Sequence, residues 1–146
     1  MIQDIDVHAV MQESSVRAYT DLVTRPTGRV VREGIERVMA AAGQTAIARM
    51  DFTGVGCMDY SCADEIVAKL LVAWPAVLML RGVSDAHREA IEPVLVGHGL
   101  AVLLECADGR LDAIGAPTMA SQLFERLVAQ RLASRLPGGT FALITS

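Results

Sequence analysis

The stretch MDYSCADE, residues 58–65, sets an acid, a phenol, a hydroxyl, a thiol and two further acids between an apolar run and a helical pattern. Groups of these types, so closely spaced, can serve as a helix cap, a phosphorylation switch, a reactive thiol or a catalytic cluster. Ser61 stands where an N-cap belongs, and Asp64 follows three residues later, an approximation to a capping box with Asp in place of Glu or Gln. Such a cap is worth about 1 kcal/mol and accounts for the serine. It does not account for Asp59 and Tyr60. Cys62 falls at the expected first helical position, where the dipole and free N–H groups lower a thiol pKa, while Asp59, Asp64 and Glu65 raise it. The acids outweigh the dipole, so Cys62 is expected to pack as a small residue under the loop. A phosphate on Ser61 would carry a charge of about −2, gain from the dipole, and face three carboxylates within a turn or so. The loop would become hostile to an acidic partner, the sign expected of a release switch.

Other sites for chemistry are weaker. Gly54-Val55-Gly56 follows a strand pattern, but Asp59 occupies the third glycine position of a dinucleotide fingerprint and would repel a pyrophosphate. The stretch reads as a tight strand-to-loop turn, and no GK[ST] motif is present. His8, His87 and His98 share no metal-ligand spacing with each other or with the cysteines, so no metal and no cofactor is expected. His98 reads as a favourable dipole contact at a helix end. Cys57, Cys62 and Cys106 lack CxxC spacing and sit in or beside apolar stretches, which suits buried thiols in a reducing compartment and makes a disulfide framework unexpected.

The elements that must hold these residues alternate. Ile5 to Met11 reads as a short strand, and 16–24 fits either helix or strand. Val31, Gly34, Ile35, Val38, Met39 and Ala42 follow helical spacing, with Thr27 as the expected cap, Pro26 fixing the entry and Gly43 at the end. Residues 45–53 read as a central strand. Ala63, Ile66, Val67, Leu70, Leu71 and Trp74 form an apolar helical stripe stopped by Pro75. Ala76 to Leu80 is a covered strand. A helix capped by Ser84 or Asp85, with Pro93 expected to kink it, runs to Gly97-His98-Gly99. Leu100 to Cys106 and Arg110 to Ile114 are strands joined by an Asp108-Gly109 turn. A last helix from Pro117 carries its apolar face to Leu132 and is expected to end at Pro137-Gly138-Gly139, with Thr140 to Thr145 as an edge strand. Strands alternating with helices predict an α/β fold, a mixed sheet covered by about four helices.

The 146 residues suit one domain. A hydrophobic fraction of 52% with only 4% aromatic residues calls for an aliphatic core. A net charge of −4 with scattered cations, twelve Arg and one Lys, argues against a nucleic-acid surface. The longest apolar run, Ile66 to Leu80, is interrupted by Lys69 and Pro75 and is too short for a membrane span. The acidic N-terminus does not read as a signal peptide, which predicts a cytoplasmic protein.

Residues 45–74, TAIARMDFTGVGCMDYSCADEIVAKLLVAW, resemble the STAS domains of anti-sigma-factor antagonists, in which a strand, D-F-S/T-x-V, a short loop and D-S/T-S-G lead into a helix. SCADE is closer still to the STAS-like branch that carries S-x-A-D-E, in which a segment similar to Leu22-Val23-Thr24-Arg25 precedes the motif. Val77 to Val83 and the helix ending in Gly97-His98-Gly99-Leu100 look like the next strand and helix, so the likeness covers about residues 20–105. Residues 107–146 extend beyond it, as an appended packing element or a dimerisation surface.

The resemblance implies a bacterial, non-enzymatic domain that docks on a GHKL-type Ser/Thr kinase or anti-sigma factor, with phosphorylation of a loop serine breaking the complex. Asp59 matches the family's Asp and Ser61 its second hydroxyl residue. Tyr60 stands at the usual acceptor position and Cys62 where glycine often stands. Either Ser61 takes the acceptor role, shifted by one residue, or the protein docks without being switched. The expected docking face is Asp59, Tyr60, Ser61, Cys62, Asp64 and Glu65. Two rivals remain: an enzyme or thiol switch with Ser61 or Cys62 as nucleophile, lacking an evident base, and a scaffold that dimerises through its C-terminal helix.

Overall fold

The computed structural model describes residues 2–14, 20–43, 46–74 and 77–144. Strands β1 (Ile2–Asp6), β2 (Ile47–Asp51), β3 (Val77–Arg81) and β4 (Ala101–Glu105) are parallel and lie side by side in chain order. Each crossover therefore steps the same way. With right-handed connections, all the crossover helices must fall on one face of the sheet. They do: α1 (Val7–Glu13), α2 (Arg25–Ala41), a composite α3 (Tyr60–Ala63, a π-helical turn Asp64–Ala68, then Lys69–Ala73) and α4 (Asp85–His98) enclose the larger core. Because the strand order never reverses, this parallel region has no topological switch point of the kind at which doubly wound sheets hold nucleotides.

The sheet then turns antiparallel. β5 (Arg110–Gly115) forms the expected hairpin with β4. Helix α5 (Pro117–Ala129) crosses to the other face, where Leu127 packs with Met79, Leu103 and Leu111 in a smaller core. Among the described residues, β6 (Ala133–Arg135) and β7 (Phe141–Leu143) complete a seven-stranded mixed sheet in the order β1-β2-β3-β4-β5-β7-β6.

Four sequence expectations need correction. The strand expected over 5–11 ends at Asp6, whose carboxylate accepts a hydrogen bond from Ala9 N and caps α1; Val7, Val10 and Met11 recur at helical spacing and are buried. Helix α2 begins at Arg25, with Thr24 rather than Thr27 at its cap. The last helix stops at Ala129, because Arg131 adopts φ 60° and turns the chain back, so Pro137-Gly138-Gly139 lies in the turn between β6 and β7. β7 is no edge strand, since it pairs with β5 on one side and β6 on the other. Of the open stretch 16–24, residues 20–24 are described; the remainder lies outside the described residues.

Candidate functional site

The motif sits where β2 hands the chain to α3, and residues 20–24 are strapped alongside it. Gly56 N donates to Thr20 O, Leu22 N to Cys57 O and Asp59 N to Leu22 O, which makes a single parallel bridge between Leu22 and Met58. Asp21 accepts from Cys57 N at 2.8 Å. The segment that resembles the family's flank is thus laced to the motif.

The cap belongs to Asp59, not Ser61. Its Oδ1 accepts from Cys62 N and from the Ser61 hydroxyl, both at 2.8 Å, and its Oδ2 accepts from Thr24 N at 2.7 Å. Burial opposes its charge, but the bonds from Cys62 N, Thr24 N and Ser61 outweigh burial and hold the carboxyl below its ordinary value. Thr24 itself has φ 72° and ψ 143°, a conformation costly for a β-branched residue. It persists because Asp59 holds its N–H and its carbonyl accepts from Gly28 N and the Cys62 thiol.

Cys62 is buried between α2 and α3. A methyl on Gly28 would come within 3.0 Å of the Cys62 Cα, so the two helices approach backbone to backbone there. Burial, then the Asp59 charge, pushes the thiol up to about 12. It stays protonated at neutral pH, and Cys62 has no exposed surface.

Asp64 and Glu65 turn away from solvent. Glu65 is fully buried and accepts from Arg25 (3.1 Å), Arg32 (3.2 Å) and Lys69 (2.8 Å). Burial disfavours the carboxylate, yet Lys69, Arg25 and Arg32 overcome it and bring its pKa down to about 2. Asp64 accepts from Arg25 (2.8 Å) and from His98 Nε2 (3.0 Å). Desolvation opposes its ionisation as well, and Arg25 and His98 hold it below the ordinary range. A carboxylate so held only accepts, so His98 Nε2 is the donor. The widened π turn Asp64–Ala68 carries these acids, as such turns do at many functional sites. Tyr60 alone points outward, 63% exposed.

Of the six motif residues, then, Asp59, Cys62 and Glu65 are committed to holding α2, α3 and the strap together. Tyr60, Ser61 and the rim of Asp64 border an open cleft with Arg25, Val94 and His98. From sequence, Arg32 has no role, Thr24 and Arg25 stand only in the flanking segment, and His98 reads as a dipole contact at a helix end. Lys69 was readable as the i+4 partner of Glu65. His98 was not, because it meets Asp64 only through the packing of α4 on α3. Among the described residues, no cluster of three or more His, Cys, Asp or Glu could hold a metal, and no helix is long and apolar enough to cross a membrane; the three cysteines form no disulfide, and of the expected buried thiols only Cys62 is buried, Cys57 being exposed and Cys106 half-buried. No family model, curated protein or solved structure matches this chain.

Proposed function

We propose that the protein is a regulatory binding module of the STAS-like kind, which docks a GHKL-type Ser/Thr kinase or anti-sigma partner in the cytoplasm through the outer surface of the α3 start. The observation that carries this reading is the exposed Tyr60 ring on a helix start whose Asp59, Cys62 and Glu65 are already consumed by structure. A large aromatic held on a rigid, capped turn is a low-entropy anchor of the type found at interface hot spots. Tyr60, Ser61 and the rim of Asp64 make direct contact; Asp59, Cys62 and Glu65 hold them in place from beneath.

Ser61 is the candidate phospho-acceptor. Transfer of the ATP γ-phosphoryl to Ser61 Oγ, with loss of the hydroxyl proton and release of ADP, would remove the donor to Asp59 and set a dianion against that carboxylate. Repulsion at the cap and at the docking face then act together to release the partner. Intact mass after incubation with a GHKL-type kinase and ATP tests this. A single phosphate at Ser61 supports the switch, whereas phosphate at Tyr60, or none, removes it and leaves unswitched docking.

One observation favours a catalytic reading: His98, paired with Asp64, borders the same cleft as Ser61, so the base that the sequence lacked stands nearby. Against it, the Ser61 hydroxyl donates to Asp59, a carboxylate too well hydrogen-bonded to act as a strong base. Stoichiometric labelling of Ser61 by a serine-directed activity probe would favour the enzyme. The dimerisation reading cannot be tested by deleting α5, since that strips the cover from Met79 and Leu103; substitutions on its exposed residues, read by sedimentation, do so instead.

A further inference from the structure

The motif is written as acidic, but at Asp64 and Glu65 the fold sets cations outside the acids. The Glu65 side chain is 0% exposed and that of Asp64 20%, while their partners Arg25, Lys69 and His98 are 45%, 47% and 55% exposed. The pairs of Arg25 and Lys69 with Asp64 and Glu65 are therefore layered with the anion inward and the cation outward, whereas Arg32, 19% exposed, is bridged by the more exposed Glu36. An approaching molecule meets Arg25 and Lys69 before the acids beneath them. Lys69, the chain's only lysine, gives one N–H to Glu65 and keeps two for another acceptor.

The Asp64–His98 bridge spans the cleft between α3 and α4. On one side lie Tyr60 and Ser61 with Pro93, Val94 and Gly97. On the other is an apolar groove of about 490 Å³ floored by Ala68, Val72, Ala73 and Leu100 and edged by Arg32 and Lys69. Val72 is 75% exposed there. An apolar floor between cationic edges, running along a helix about 20 Å long, matches one kind of ligand.

We propose that this cleft takes an acidic amphipathic helix of a partner protein. Its apolar residues lie on Val72, Ala73 and Leu100, and its carboxylates face Lys69 and Arg25. The inference rests on the docking reading above and adds the partner's chemistry to it. A phosphate on Ser61, across the Asp64–His98 bridge from the groove, would compete with those carboxylates for Arg25.

Two synthetic helical peptides with an identical leucine stripe, one flanked by Glu and one by Lys, are titrated into the ¹⁵N-labelled protein. The Glu peptide is expected to bind at least about tenfold more tightly, a preference that shrinks as salt rises. Amide shifts should cluster at Lys69–Ala73 and Gly97–Leu100. Val72→Asp should abolish them without lowering the thermal midpoint, and Lys69→Met should erase most of the preference. Equal binding, preference for the Lys peptide, shifts elsewhere or no binding of either peptide would overturn the proposal. If it is overturned while Tyr60→Ala still weakens binding of a GHKL-type kinase, docking stands and only the partner's chemistry is wrong; if Tyr60→Ala has no effect either, both fall.

Discussion

Two helices begin on the same face of this sheet, and their starts are built differently. At the start of α4, Ser84 accepts from His87 N, His87 Nδ1 accepts from Ser84 N, and His87 Nε2 donates to Gly56 O. This is a complete capping box whose histidine also pins the neighbouring loop. At the start of α3, one carboxylate does the capping, and beyond it lie a π turn, a buried glutamate with three cations, a strained threonine and an exposed tyrosine. A helix start needs only what α4 has. The surplus at α3 stabilises a particular surface, which is the physical reason to place the function there.

The difference is open to direct attack. Glu65→Ala removes the common acceptor of Arg25, Arg32 and Lys69 and should cost about 3 kcal/mol in urea denaturation, the range for breaking a buried ion pair. Nothing at the start of α4 should match it. Acid should expose the same asymmetry. Glu65 is held at about 2 against an ordinary 4.5, so its stabilisation is fully present above the ordinary value and is lost as pH falls through about 2. The loss is on the order of 3 kcal/mol. Glu65→Gln should flatten that part of the stability profile between about pH 5 and 2, and an unchanged slope would show that the cluster is not coupled to folding.

Smaller effects sharpen the contrast. Asp59→Ala removes the cap and strands Thr24 N, and should cost about 2 kcal/mol, while Ser84→Ala should cost about 1 kcal/mol. Equal costs would mean that the strap owes nothing to Asp59. Thr24→Gly should leave stability equal or raise it by up to about 1 kcal/mol, since glycine adopts that backbone without strain. A clear loss would show that the Thr24 side chain, which pairs with Thr27, matters more than the strain.

Where local pattern decides structure, the sequence was readable. The apolar stripes of α2 and α3, the continuous run of β3, the Ser84 cap and the Asp108-Gly109 hairpin all depend on neighbours within a few residues, and each forms where its pattern predicts. The join of β1 to α1 was misread because Ile5, Val7 and Met11 fit alternation as well as a helix, and the Asp6 cap decides between them. The chain reversal at Arg131 left no glycine to announce it. Within the motif, residue types were legible but their directions were not. Arg25 meets Asp64 across 39 positions of chain, and His98 meets it across 34. Whether an acid faces water or a buried cation is set by those meetings, so the sign of the surface could not be read from MDYSCADE alone.

Affinity of a GHKL-type kinase for the Tyr60→Ala variant tests the docking surface most directly, with Val38→Ala on α2 as a second exposed apolar control. Tyr60→Ala should weaken binding by at least about tenfold, the size of a modest hot spot, while its thermal midpoint and that of Val38→Ala stay at the parent value. Undiminished affinity in a folded Tyr60→Ala protein would contradict the assignment of function to the start of α3.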